Sequence, residues 1–177
     1  RAPLKISMFQ VNAFTAQVSS GNPAGVVPLD QWIDDARMQA IAAENNLAET
    51  AFFVPQNGDY RIRWFSPTVE VDLCGHATLA SAHLVFQRLK PGSERVRFES
   101  NSGELVVTRE GDKLAMDFPS WTPAPVAKVE GLSEALGAVP SEVLKSRDLL
   151  AVFETEEQVR ALTPDFAKLI QIETFGI

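Results

Sequence analysis

The chain is poor in the side chains that carry most enzyme chemistry. Its 177 residues include one cysteine, Cys74, two histidines, His76 and His83, and one tyrosine. A single cysteine makes no internal disulfide, which fits a reducing compartment, so a cytoplasmic location is expected. Nowhere does the sequence hold the roughly 18 consecutive apolar residues that a membrane-spanning helix needs. No basic stripe is present either: 16 Lys and Arg stand against 23 Asp and Glu, a net charge of −7, which argues against a nucleic-acid partner. The closest cationic cluster is Arg61 and Arg63, alternating along a strand-like run. Arg1-Ala2-Pro3 leads directly into strand-like sequence, so no signal peptide is read there, and the missing Met suggests a processed start.

Several motifs are missing too. Without GxGxxG or GxxxxGK[ST], nucleotide cofactors have no support. No Gly-x-Ser-x-Gly elbow occurs. The spacing of Cys74, His76 and His83 matches no zinc pattern. Neither a metal nor an organic cofactor is expected.

What the chain does have is core material, since 45% of it is hydrophobic. Strand patterns fall on Leu4–Phe14, Val26–Leu29, Thr50–Val54, Tyr60–Phe65, Val96–Glu99, Glu104–Thr108 and Lys113–Phe118, with Val69–Leu73 short and extended. The Asn57-Gly58-Asp59 turn makes a hairpin of the third and fourth. Residues 30–46 read as a helix that Asp34 can cap and Asn45-Asn46 ends. ATLASAHLVFQRL is apolar on nearly every side, the mark of a buried helix. Many antiparallel strands with one such helix predict an α+β fold in which a curled, mostly antiparallel sheet encloses it. The proline-rich PSWTPAP, 119–125, reads as a linker between domains. Beyond it a short helix in GLSEALGA, a strand in DLLAVFE, and a helix restarting around Pro164 with Thr163 as cap are expected. The apolar end IETFGI reads as the start of a core strand, which suggests a piece of a longer protein.

The scarce reactive residues gather where the short strand meets the buried helix, in VEVDLCGHATLASAH. A helix N-terminus offers unpaired N–H groups and a positive dipole end, suited to a carboxylate or a developing enolate. Gly75 would let a ligand approach the backbone. His76 can relay a proton. Cys74, beside the dipole, could have a lowered pKa and act as a thiol base. Glu49, ahead of Ala51, Phe52 and Phe53, is a candidate general acid/base, since partial burial raises a carboxyl pKa. Asn22 of GNPAG can donate to a carboxylate while Pro23 fixes the turn. Each residue also has a plainer reading. Cys74 reads as a small core residue, His76 as a local cap, Glu49 as a turn carboxylate, GNPAG as turn chemistry. His83 reads as a packed core or interface histidine.

In order along the chain, VNAFTAQVSSGNPAGVV, MQAIAAENNLAETAFFV, IRWFSPTVEVDLCGHATLASAHLV and ESNSGELVV together resemble the PhzF family of phenazine-biosynthesis-like proteins. That resemblance covers essentially the whole chain. It implies the diaminopimelate epimerase-like fold: two similar domains, each a curled sheet around a central helix, with the active site in the cleft between them. On that plan residues 1–118 form the first domain with central helix 76–88, 119–125 link, and 126–177 begin an incomplete second domain. The family's Asp-Pro stretch followed by Gly-Ser/Thr-Ala-His is not found. The implied activity is cofactor-independent isomerisation by proton transfer on a small carboxylate-bearing metabolite, as in a relative acting on a dihydro-hydroxyanthranilate. Glu49 would shuttle the proton, Gly75 and His76 would hold substrate, and Asn22 and Cys74 would line the site. Relatives are often dimers, so a homodimer is an expectation. Cys74 also stands where diaminopimelate epimerases and proline racemases carry one of two catalytic thiols. A thiol-based racemase or epimerase of amino or imino acids is therefore the first alternative, and a non-catalytic binding relative the second.

Overall fold

The computed structural model describes residues 5–177. Leu4, the first residue of the expected opening strand, lies outside the described residues. The chain divides into two compact units, one ending at Phe118 and one beginning at Pro119.

The first unit contains β1 (Phe9–Ala13), β2 (Asn22–Pro28), α1 (Asp35–Asn45), β3 (Glu49–Gln56), β4 (Asp59–Phe65), β5 (Glu70–Val71), α2 (Gly75–Leu84), β6 (Arg95–Ser100), β7 (Gly103–Glu110) and β8 (Lys113–Met116). Seven strands form one sheet in the order β1-β2-β3-β4-β6-β7-β8, and β5 pairs with β4 off this path. β2 with β3 and β4 with β6 run parallel. The other pairs are antiparallel. Because α2 packs against β1, β2, β3 and also β8, both ends of the sheet reach the same helix, so the sheet must curl around it.

Local sequence explains the pieces. Asp34 caps α1, its carboxylate accepting from the Ala36 N–H at 3.0 Å, and Asn46 closes the helix in the left-handed region at φ 51°. Asn57 and Gly58 have φ of 50° and 83°, the pair of positive values that a tight two-residue hairpin turn demands. Thr50 to Val54 is buried throughout because β3 is covered on both faces. Ala51 and Phe53 face α2 with Tyr60, Ile62, Trp64 and Phe98. Phe52 faces the other way, packing with Val27, Met38, Ala42 and Phe65 under α1.

The buried helix begins at Gly75, one residue before the expected start, and ends in a π-helical turn, Val85–Leu89. Two of its polar side chains, Thr78 and Ser81, are satisfied within the helix. Thr78 and Ser81 hydroxyls donate to the Cys74 and Ala77 carbonyls at 2.6 and 2.7 Å. His83, expected in a core or interface, is exposed and borders the gap between residues 10–19 and Asp112–Leu114, so it is not a core histidine, while an interface position remains compatible with it. GNPAG is not a free turn: Asn22 and Pro23 already belong to β2, pairing with Ala13 and Asn12. Pro23 is tolerated because the ladder to β3 starts only at Ala24. Gly21 is forced to be glycine, since a Cβ there would come within 2.2 Å of the Ala13 carbonyl oxygen.

The second unit holds a three-stranded antiparallel sheet, β11 (Leu149–Val152), β10 (Glu142–Lys145) and β9 (Ala124–Pro125), with short helices α3 (Leu132–Leu136), α4 (Glu156–Arg160) and α5 (Phe166–Leu169). Two expectations are corrected here. The last residues of the 119–125 segment are a strand, because Ala124 and Pro125 find partners in Lys145 and Leu144. The cap of α5 is Asp165, whose carboxylate accepts from the Ala167 and Lys168 amides; Thr163 sits too early for its oxygen to reach them.

Candidate active site

Glu49 is the first residue of β3, and its partner across the parallel ladder is Ala24 of β2. Side chains alternate along a strand, so Glu49 shares the α2-facing side with Ala51 and Phe53. Asn22 stands at the same end of the sheet and, two residues before Ala24, on the same face.

The other half of the site arrives through β5. That short strand is fastened by Arg63, whose guanidinium donates to both carboxylate oxygens of Glu70 at 2.7 Å and to Asp35 at 2.8 Å. Four residues after Glu70 comes Cys74, extended at φ −144° and ψ 113°, forming the N-cap of α2. No side chain caps the helix there, and the amides of Gly75 and His76, at the positive end of the helix, have no intrahelical partner and suit an anionic group.

The sheet end and the helix start meet in a small cluster. His76 Nε2 lies 3.5 Å from Glu49 Oε2, and His76 Nδ1 lies 3.4 Å from Cys74 Sγ. The Glu49 side chain is 23% exposed and the His76 side chain 9%, so the carboxylate is the member that reaches solvent. The Nε2–Oε2 approach lacks hydrogen-bond alignment, and Nε2 is buried with no partner.

Cys74 departs from expectation. Burial pushes its thiol up to about 12; the Ala77 amide works against this, and the nearby Glu49 charge adds to it. The helix dipole was expected to lower this pKa, but desolvation outweighs it, so the sulfur is held as a thiol. Gly75 also has a role that sequence reasoning missed. A Cβ at position 75 would meet the Phe118 ring at 3.3 Å and the Met116 methyl at 3.8 Å. Missing side-chain volume there admits Phe118, at the far end of the same unit, against the helix start. No local signal in the sequence links 75 to 118.

The five residues proposed from sequence thus fall at one end of the first unit. Glu49, Cys74 and His76 are brought together, and Gly75 lies between the last two. Asn22 shares their end and face of the sheet. An open groove of about 1140 Å³ lies elsewhere, bounded by residues 10–19, by Leu79, Ala80 and His83 of α2, and by Asp112–Leu114; it includes none of the five. Glu49, Cys74 and His76 also constitute a possible metal-ligand set, which chain spacing hides because Glu49 comes from another element. Among the described residues, no helix is long and apolar enough to cross a membrane.

A curled sheet around an apolar helix is the architecture of the epimerase-like α+β class. The chain belongs to the PhzC-PhzF family, phenazine biosynthesis-like proteins, whose family model matches residues 11–176. It is 55% identical over 174 residues to an uncharacterized isomerase of Pseudomonas aeruginosa, covering 98% of this chain and 67% of that protein. A PhzF-family crystal structure from Enterococcus faecalis superposes with a TM-score of 0.89 at 41% identity, covering 97% of this chain and 66% of that one. A predicted epimerase from Pseudomonas aeruginosa, 20% identical with a TM-score of 0.72, covers 96% of this chain and 68% of that one and bears on the fold alone. The chain spans about two thirds of the length of the curated relatives it matches.

Proposed function

We infer that this protein is an isomerase that moves a hydrogen on a small carboxylate-bearing metabolite by acid–base chemistry, without an organic cofactor. Glu49 takes a proton from carbon and returns it elsewhere on the substrate. The first-turn amides at Gly75 and His76 hold the carboxylate or the enolate oxygen that develops. Single donors of this kind contribute roughly 3–4 kcal/mol to a transition state. Asn22 and Cys74 line the pocket. The unit from Pro119 is, on this reading, the beginning of a domain similar to the first. Relatives named as isomerases support the class of reaction.

The observation that carries the reading is the placement of the Glu49 carboxylate 3.5 Å from His76 at the uncapped start of α2. A base and an anion-holding helix end so close together suit proton abstraction next to a carboxylate or carbonyl. A thiol racemase is the weaker reading, because a thiol held up at about 12 is a poor base near neutrality.

Deuterium wash-in from heavy water tests it. Candidate carboxylates that bind should exchange a C–H proton. Glu49→Gln should reduce exchange by roughly 10²–10⁴-fold, the usual contribution of a positioned acid–base group, while Cys74→Ala should leave most of it. The reverse pattern would transfer the protein to the thiol reading. Binding of carboxylates with no exchange by any of them would leave only a non-catalytic binding protein.

A further inference from the structure

The three donors at the start of α2 form a ligand set as well as an acid–base pair. One Glu49 carboxylate oxygen, the Cys74 sulfur and one His76 ring nitrogen all lie within 4.8 Å of one another. The imidazole is nine-tenths buried, and its Nε2 has no hydrogen-bond partner. An unpaired buried polar atom is costly, and this one faces a carboxylate. Tetrahedral zinc, with bonds of about 2.3 Å to sulfur and 2.0–2.2 Å to nitrogen and oxygen, holds its ligand atoms about 3.4–3.6 Å apart. Closing the cluster onto an ion therefore takes shifts of about 1 Å, within the reach of side-chain torsions.

We propose that Glu49, Cys74 and His76 bind Zn²⁺ reversibly, and that the bound ion switches the site off by occupying the Glu49 carboxylate. A mixed sulfur, nitrogen and oxygen set selects a borderline-soft cation over Mg²⁺ or Ca²⁺, which prefer oxygen alone. Coordination releases the thiol proton to solvent. Three protein ligands leave one tetrahedral position for water. The inhibitory effect rests on Glu49 being the base; the binding itself does not.

The test is Co²⁺ titration of the full chain, reduced and without oxygen, followed by displacement with Zn²⁺. Tetrahedral cobalt bands with a thiolate charge-transfer band in the near ultraviolet are expected. Cys74→Ser should remove that band. Glu49→Gln and His76→Asn should weaken binding by at least the roughly 10- to 100-fold that losing even an outer partner costs. His83→Asn, altering the exposed histidine, should change nothing. Circular dichroism checks that each variant is folded. Absence of the charge-transfer band, or affinity unchanged in folded Glu49→Gln and His76→Asn, overturns the site. The deuterium assay on metal-free chain separates the two ideas. Cobalt binding without exchange keeps the metal site and removes the proton-transfer reading. Exchange without cobalt binding does the opposite.

Discussion

Up to Phe118 the chain buries two apolar clusters on opposite faces of one sheet. From Pro119 onward it buries Leu132, Ala135, Leu136 and Leu149 but leaves Val139, Leu150, Val159, Phe166, Ile170 and Phe175 exposed. Both stretches contain apolar runs of similar look, so composition does not separate them. Architecture does. In the first unit a ten-residue helix lies inside a sheet whose two ends both touch it. The second has three strands and helices of four or five residues, each too short to be stable without tertiary contacts. Apolar side chains become a core only where some element encloses them.

The contrast can be tested by substitution. Phe53→Ala, at a fully buried position, should destabilise the first unit by about 3–5 kcal/mol, whereas Phe166→Ala, at a 77% exposed one, should stay within about 0.5 kcal/mol. Denaturant unfolding read by tryptophan fluorescence distinguishes the two. Comparable losses would mean that Phe166 is covered in solution and the contrast is false.

Alkali should sharpen it next. Cys74 has a folded-state pKa of about 12 against an ordinary 9.0, so folding favours the protonated thiol. Its contribution is complete below pH 9 and is lost as pH rises toward 12. At roughly 1.4 kcal/mol per pH unit the loss approaches about 4 kcal/mol. Stability measured across this range should fall in the first unit, and Cys74→Ala should flatten that fall. An alkaline limb identical in the variant would remove the thiol as its source.

The smallest effect concerns helix caps. Asp34→Ala should cost about 1 kcal/mol by freeing the Ala36 amide of α1. Thr155→Ala breaks a reciprocal capping box on α4, a helix with no buried residue. It should therefore loosen α4 locally, as amide hydrogen exchange would register, with little change in global unfolding.

Much of the first unit was legible because its signals are local. Asp34, Asn46, the Asn57-Gly58 turn and the all-apolar ATLASAHL run each dictate a structure from neighbouring residues alone. Asn22 and Pro23 were read as turn because their strand character depends on partners nine and eleven residues back, Ala13 and Asn12. The junction at Cys74 drew attention for its rare residues, yet its meeting with Glu49 depends on where β3 and α2 pack. Local reasoning also misjudged the sulfur: the dipole is visible in sequence, whereas the desolvation that defeats it is not. Phe118 against Gly75 was invisible for the same reason, since the two are 43 positions apart in the chain.

Arg63 ties four side chains to one point. Its planar fork holds Glu70 by two bonds and Asp35 by a third, and lies over the rings of Trp32 and Phe65. Lysine would keep the charge but lose the two-pronged grip and the stacking. A substitution at position 63 would thus leave two acids and two aromatics without this partner at once. Everything that reaches the helix start through β5 therefore hangs on one guanidinium, whose loss would loosen the segment that delivers Cys74.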